Sequence, residues 1–166
     1  SLLKFCGVEK ETDAFVDKIS LLSQTDKLKY ICLTSRSVMF HSYTLLHFKD
    51  TGYDKVFIRP NVLSMDNPLY LKYDKNTDAI PQVRYIDNIC SCSGTNKGDV
   101  MVNILDNFNN FDFDTLIFID DSISNIDKMN SKLTEFLNDL SGTESICVHY
   151  TYMEEHKNNY SIHNFI

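Results

Sequence analysis

The apolar positions of the chain fall into two patterns that alternate along the sequence. Short continuous apolar runs are typical of strands buried on both faces, whereas apolar residues spaced three to four apart are typical of amphipathic helices. The runs predict strands at residues 28–33, 56–58, 116–119 and 145–150. The spaced positions predict helices at residues 9–22, 38–49, 99–107 and 124–140. This order of elements indicates an α/β fold with a mostly parallel sheet and helices on both faces.

One stretch, residues 59–94, interrupts this alternation. It is polar and contains all 3 prolines of the chain. Within it, Asp87-Asn88 separates two strand-like runs, residues 83–86 and 89–92, which predicts a hairpin with a two-residue turn. We therefore interpret residues 59–94 as an insertion or cap-like hairpin beside the sheet, within a single domain formed by residues 1–166.

Composition narrows the classes of function. With 166 residues, of which 43% are apolar and 23% charged, the chain can form one globular core. A net charge of -7 and a pI of about 5.1 argue against nucleic acid and against an anionic membrane surface as partners. No stretch approaches the roughly 18 apolar residues that a membrane-spanning helix needs.

The 5 cysteines indicate a reducing, cytoplasmic setting. An odd count, with Cys32 and Cys147 inside apolar runs, favours reduced and buried thiols. Cys90 and Cys92 form a C-x-C pair that lacks a second pair or a histidine pair at zinc-finger spacing. Packing is therefore favoured over zinc for these two thiols.

The strongest candidate chemistry lies in residues 115–125, TLIFIDDSISN. A predicted strand runs directly into Asp120 and Asp121. Ligands bind at the carboxyl ends of strands in open α/β sheets, and two carboxylates at such a place suit Mg²⁺. The alternative is a solvated Asp-Asp-Ser turn that caps the following helix. On these residues alone, both interpretations stay open.

Two other boundaries carry groups that suit a phosphate site. Thr34 and Ser35 follow the strand at residues 28–33, and hydroxyl and main-chain N–H groups at a strand-to-helix turn can bind phosphoryl oxygens. Lys97 lies at the start of a predicted helix, where its charge adds to the helix dipole. Together with the adjacent aspartates, these residues predict a site for a phosphoryl group and a hard cation.

In their order, these boundaries resemble three motifs of the haloacid dehalogenase (HAD) superfamily, phosphoryl-transfer enzymes with an aspartate nucleophile. LKYICLTSR is similar to the second motif, with Thr34, and TNKGD is similar to the third, with Lys97. LIFIDDSISN is similar to the fourth, with Asp120 and Asp121. The resemblance covers residues 8–152 and is closest to a branch found in intracellular bacterial pathogens. It implies a Rossmann-like sheet.

The resemblance also implies a function, that of a Mg²⁺-dependent phosphatase or phosphotransferase. The residues that it assigns are Thr34 and Lys97 for catalysis, Thr34, Ser35 and Lys97 for phosphate binding, Asp120 and Asp121 for Mg²⁺, and Arg36 and Asn125 for support around them. The expected substrate is a phosphorylated small molecule or a phosphoprotein in the cytoplasm. Secretion as a bacterial effector is the alternative to a cytoplasmic location.

One motif of that superfamily is missing. The first motif, an apolar strand followed by D-x-D, carries the nucleophilic aspartate, and no stretch before Thr34 matches it. Asp112-Phe113-Asp114 has the right letters but precedes its strand, so we interpret it as a chance match. We expect an upstream segment of the same protein to supply the motif, and we expect this chain alone to be inactive. The alternatives are a HAD-like binding or scaffold module that has lost the chemistry, and a generic α/β interaction domain.

Overall fold

A computed structural model of the chain describes residues 13–22, 28–57, 83–107, 113–138 and 142–151. These residues form helices and two small sheets, so the protein is mixed α/β. The chain divides into two compact units, Ser1–Thr95 and Asn96–Ile166. In the described part, no helix is long and apolar enough to cross a membrane. The predictions at residues 9–12, 59–82 and 139–140, and the Asp112 match, lie outside the described residues.

In the first unit, strands form a sheet in the order β1-β3-β2. Strand β1 is Cys32–Thr34, β2 is Arg84–Ile86 and β3 is Ile89–Ser91. Strands β1 and β3 are parallel, whereas β2 and β3 are antiparallel. The hairpin of β2 and β3 is therefore part of the sheet that carries Thr34, although the sequence analysis placed it beside the sheet. The physical reason is that every residue of β3 is buried, which suits a central strand.

The helices of the first unit confirm one prediction and correct another. Helix α1 is Asp13–Leu22, a 3₁₀ turn is Val38–Phe40, α2 is His41–Thr51 and α3 is Asp54–Phe57. Gly52 ends α2 as predicted, with a φ of 77° and its N–H bonded to the Lys49 carbonyl. The predicted strand at residues 56–58 is wrong for residues 56–57, and residue 58 lies outside the described residues. The N–H groups of Val56 and Phe57 both donate to the Tyr53 carbonyl, which closes a helical turn instead.

The predicted two-residue turn at Asp87-Asn88 is confirmed. Both residues have a positive φ, of 52° and 60°, as a type I′ turn requires. Asn88 is fully buried, and its Oδ1 accepts a hydrogen bond from the Tyr85 hydroxyl at 2.6 Å. Its Nδ2 donates to the Phe57 carbonyl of α3 at 3.3 Å. The turn therefore both closes the hairpin and attaches it to α3.

The second unit is a β-α-β arrangement preceded by a helix. Its elements are α4 Lys97–Asn107, β4 Thr115–Asp120, α5 Ile123–Leu137 and β5 Glu144–His149. Strands β4 and β5 are parallel over all 6 residues of each strand. Helix α5 packs against both strands and α4 packs against α5. The buried residues of α5 have the predicted three-to-four spacing; they are Ile126, Met129, Leu133 and Leu137.

The prediction that β4 is buried on both faces is wrong. Phe118 and Asp120 are buried, whereas Ile117 and Ile119, which alternate with them, are 58% and 51% exposed. Successive side chains of a strand point to opposite faces. Helix α5 packs against β4, so it covers the face that holds the buried residues Phe118 and Asp120. A continuous apolar run therefore did not require a helix on each side of this sheet.

Candidate functional site

An ion pair lies where β4 ends and α4 begins. Asp120 is the last residue of β4, and Lys97 is the first residue of α4. The Lys97 ammonium donates to Asp120 Oδ2 at 2.6 Å, and the side chains are 12% and 5% exposed, respectively. Two charges are tolerated at such burial only when they are paired. The structure thus brings together two of the predicted site residues, which are 23 positions apart.

The second oxygen of Asp120 is also engaged. Oδ1 accepts hydrogen bonds from the Ser122 N–H at 2.9 Å and from Asn125 Nδ2 at 3.0 Å. Burial by itself raises the pKa of Asp120, but the hydrogen bonds from Lys97, Asn125 and Ser122 outweigh burial and hold that pKa below its ordinary value. Asp120 is therefore an ionised acceptor that is oriented through both oxygens.

The start of α4 places Lys97 beside its partner. Asn96 Oδ1 accepts a hydrogen bond from the Gly98 N–H at 2.9 Å, which caps the helix. A Cβ on Gly98 would lie 2.9 Å from the Lys128 main-chain oxygen of α5. Glycine therefore permits the close approach of α4 to α5 that brings Lys97 to Asp120. An ammonium has three N–H donors, so Lys97 keeps donors for an oxyanion after it bonds to Asp120.

The corner formed by Asp120 and Asp121 can offer two carboxylates to a cation. Asp121 is exposed. A carboxylate has about four acceptor positions, and Lys97, Ser122 and Asn125 occupy all but one of those on Asp120. Among the described residues, no group of 3 or more His, Cys, Asp or Glu side chains could hold a metal ion. A Mg²⁺ bound by Asp120 and Asp121 would therefore have to take its other ligands from phosphate and water, as Mg²⁺ commonly does.

The capping interpretation of the Asp-Asp-Ser turn has support as well. Ser122 is the N-cap of α5, yet its side chain makes no capping hydrogen bond. Asp120 takes over part of that task, because its Oδ1 binds the Ser122 N–H and the Asn125 side chain. Local turn formation explains these two bonds, but it does not explain why the half-buried Lys97 approaches the opposite oxygen.

In the first unit, the predicted phosphate-binding residues Thr34 and Ser35 are the last residue of β1 and the first residue after it, and Arg36 follows; residues 34–36 are called the Thr34 loop below. Thr34 Oγ1 accepts a hydrogen bond from the Arg36 N–H at 3.2 Å. The carbonyls of all three residues accept hydrogen bonds from the main-chain N–H groups of residues 92–94. No acceptor within the described ranges takes the Thr34 hydroxyl proton. The loop is thus held mainly through its backbone, and this hydroxyl can donate to a ligand.

The Arg36 side chain turns back onto α2. Its Nη1 donates to Thr44 Oγ1 at 3.3 Å, and its Nη2 lies 3.1 Å from His47 Nδ1. Because a guanidinium only donates, Nδ1 of His47 is the acceptor of this bond. Thr44 and His47 are not among the site residues predicted from the sequence. These two residues are three positions apart on the predicted helix that follows the loop, and residues three apart share a helix face. This spacing could have indicated that both lie on the side of the helix that meets the loop.

The C-x-C pair lies in the core. Cys90 and Cys92 are fully buried. A hydrogen bond with Cys92 raises the pKa of the Cys90 thiol, and burial raises it further. Neutral buried thiols are poor metal ligands and poor nucleophiles. The positions of these side chains therefore agree with the packing interpretation.

Comparison with known proteins assigns a family. A family model described as "Protein of unknown function (DUF2608)" matches residues 1–164. The chain belongs to this family. No curated protein matches the chain, and no solved structure matches it either. The DUF2608 match spans both units, so it includes the Thr34 loop as well as the Lys97–Asp120 pair.

Proposed function

We propose that this DUF2608 chain is the phosphoryl-binding part of a Mg²⁺-dependent phosphatase or phosphotransferase of the HAD type. One observation carries the proposal, namely the ion pair between buried Asp120 and half-buried Lys97 at the carboxyl end of a parallel strand. Ligand sites of α/β proteins commonly occupy that position. A buried ion pair is weak as a source of stability, because apolar residues of similar volume often serve equally well. A ligand therefore explains the pair better than stability does.

In this proposal, the residues of the second unit have separate roles. Lys97 donates its remaining N–H groups to phosphoryl oxygens and offsets the negative charge that develops there during transfer. Asp120 orients Lys97 through their 2.6 Å hydrogen bond. Asp121 and the remaining acceptor position of Asp120 hold Mg²⁺, which when bound supplies further neutralisation of phosphoryl charge.

In this proposal, the first unit by itself offers neutral donors to phosphoryl oxygens. The Thr34 hydroxyl donates to a phosphoryl oxygen, and Ser35, which is exposed, offers a second hydroxyl beside it. Neutral donors add direction to binding but little charge. The substrate class in this proposal is a phosphorylated small molecule or a phosphoprotein.

The attacking group comes from outside the 166 residues in this proposal. Asp114 is exposed and precedes β4, so it does not follow a strand as a first-motif aspartate does. We propose that a carboxylate oxygen from a further segment of the same protein attacks phosphorus and forms an aspartyl-phosphate while the bond to the leaving oxygen breaks. Water then attacks phosphorus and releases phosphate, which regenerates the carboxylate.

A binding or scaffold module with the same phosphate contacts is the second candidate. It is favoured by the lack of a D-x-D stretch after any apolar strand of the sequence. Such a module would bind a phosphorylated partner without turning it over.

The assay for the first candidate uses an aryl phosphate with Mg²⁺ and measures phosphate release. We expect the 166-residue chain to show no turnover, and we expect turnover once the preceding segment of the gene product is added in cis or as a peptide. Phosphate binding without turnover in either form would favour the scaffold module. The absence of phosphate binding in both forms would reject both candidates.

Binding is tested separately by titration with inorganic phosphate. Removing a charged hydrogen-bond donor costs about 2 kcal/mol, so Lys97→Ala should lower phosphate affinity roughly thirtyfold. Lys128→Ala, which removes an exposed lysine of α5, is the matched control. Equal affinity in Lys97→Ala and the control would remove Lys97 from the site.

The cation is tested by calorimetric titration with Mg²⁺ in the presence of phosphate. We expect Asp121→Asn to weaken Mg²⁺ binding, whereas Asp127→Asn, at an exposed position of α5, should leave it unchanged. Unchanged Mg²⁺ affinity in Asp121→Asn would contradict its role as a ligand.

A further inference from the structure

The Thr34 loop is attached to α2 by side chains on one face of that helix. Thr44 is 3% exposed, and its hydroxyl donates to the Phe40 carbonyl at 3.2 Å. Because that bond uses the hydroxyl proton, Thr44 Oγ1 accepts the hydrogen bond that Arg36 Nη1 donates. His47 Nδ1 accepts a hydrogen bond from the second guanidinium nitrogen of Arg36, Nη2. The planar fork of Arg36 thus has two fixed acceptors on α2.

The main chain of the same arginine holds the Thr34 side chain. The Arg36 N–H donates to Thr34 Oγ1, which selects one orientation of the hydroxyl group. The hydrogen bonds from residues 92–94 hold only the carbonyls of this loop and leave the hydroxyl orientation open. Arg36 therefore couples the position of α2 to the direction of the Thr34 hydroxyl.

We propose that Thr44 and His47 are positioning residues for phosphate binding at Thr34 and act through Arg36. This inference rests on the proposed function, because it assigns the Thr34 hydroxyl to a phosphoryl oxygen. With the anchor intact, the hydroxyl is oriented before phosphate arrives, so little side-chain entropy is lost on binding. Without the anchor, the Arg36 side chain samples other rotamers, and the direction of the Thr34 hydroxyl must be fixed at the moment of binding.

The chain offers a closely matched set of variants on α2. Thr44→Val keeps the shape but removes the acceptor, whereas Thr44→Ser keeps the acceptor. Thr51→Val is the control, because the Thr51 hydroxyl makes the same kind of bond back to the helix, to the His47 carbonyl at 2.8 Å. Among the described residues, the Arg36 side chain bonds to Thr44 and His47 and not to Thr51.

The experiment titrates the full chain with inorganic phosphate and follows the Thr34 and Arg36 amide signals and the Arg36 side-chain signal by NMR. We expect Thr44→Val to lose about fivefold in affinity, the effect of one neutral hydrogen bond, and to shift the Arg36 signals. Thr44→Ser and Thr51→Val should bind as the wild type does. Arg36→Lys, which keeps the charge but loses the fork, should weaken binding like Thr44→Val, and it decides the question if Thr44→Val does not fold.

The outcomes separate this inference from the proposed function. Wild-type phosphate affinity in both Thr44→Val and Arg36→Lys, with affinity lost in Lys97→Ala, would overturn the positioning role and leave the proposed function standing. A loss in Thr51→Val equal to that in Thr44→Val would show a general effect on α2 and would also overturn the role. A wild-type chain that binds no phosphate would overturn the proposed function, and this inference with it.

Discussion

Asp120 and Thr34 each end a strand that leads into a helix, but they are held by different kinds of contact. Asp120 is buried and ionised, and it accepts one charged and two neutral hydrogen bonds. Thr34 is half-buried and neutral, and its side chain accepts one main-chain N–H. Loss of a charged contact in the interior costs several times more than loss of a neutral contact near the surface.

This difference indicates two ways of holding a polar side chain at the same place in the strand-to-helix pattern. At Asp120, side chains from α4, β4 and α5 fix one another, so a change in one leaves a buried group without its partner. At Thr34, the backbone supplies most of the bonds, so side chains there can change with less effect on the fold. Stability measurements on each unit can therefore test the comparison directly.

The largest effect is expected when the ion pair is broken. Lys97→Met or Asp120→Asn leaves a buried group without its charged partner, which should lower the free energy of unfolding by about 3 kcal/mol. The double variant should lose less than the sum, because neither charge remains. The free energies of unfolding of this double-mutant cycle can be measured by urea unfolding. Circular dichroism is the suitable signal, because the chain has no tryptophan to report by fluorescence. Additive losses would show that the two side chains are not coupled.

The next effect concerns the hairpin that supports the Thr34 loop. Asn88→Ala removes two side-chain hydrogen bonds from a fully buried residue and places alanine at a φ of 60°, which should cost about 2 kcal/mol. Asp87→Ala is the control, because it has the same kind of backbone strain at a half-buried position. Equal losses in the two variants would mean that backbone strain, and not the buried amide, determines the stability of this turn.

A smaller effect is expected where α4 meets α5. Gly98→Ala would place a Cβ 2.9 Å from the Lys128 oxygen, so α4 must move away at a cost of about 1–2 kcal/mol. Asp106→Ala, at an exposed position of α4, is the control. The free energy of unfolding checks the cost, and hydrogen exchange should show faster exchange in the second unit than at the Thr34 loop. Faster exchange limited to the first unit would contradict this packing.

The smallest effect is the pH dependence of stability, because burial partly cancels the hydrogen bonds to Asp120. Its pKa is lowered on folding, so its contribution to stability is complete above the unfolded value of about 4 and is lost as the pH falls through the folded-state pKa. The gap in unfolding free energy between the wild type and Asp120→Asn should therefore narrow at acidic pH. A gap that stays constant from neutral to strongly acidic pH would contradict an ionised Asp120.

Local sequence signals predicted several of these elements well. Gly52 ends α2 and Asp87-Asn88 forms the turn, because both positions need a left-handed backbone that few residue types adopt. The three-to-four spacing of α5 marks the face that is buried. The strand predicted at residues 56–58 failed at residues 56–57 because so short an apolar run has no period of its own, and the preceding turn at Gly52 decided its conformation.

The sequence by itself determined the α/β class, the presence of these helices and the placement of Lys97 and Asp120 at element boundaries, because these depend on neighbours within a few residues. Only the tertiary structure decided that the Lys97 ammonium meets Asp120 Oδ2, that the hairpin joins the sheet of β1, and that Arg36 reaches Thr44 and His47. Each of these contacts joins segments whose distance depends on how helices and strands pack. Periodicity states which face of an element is apolar, but it does not state which other element covers that face.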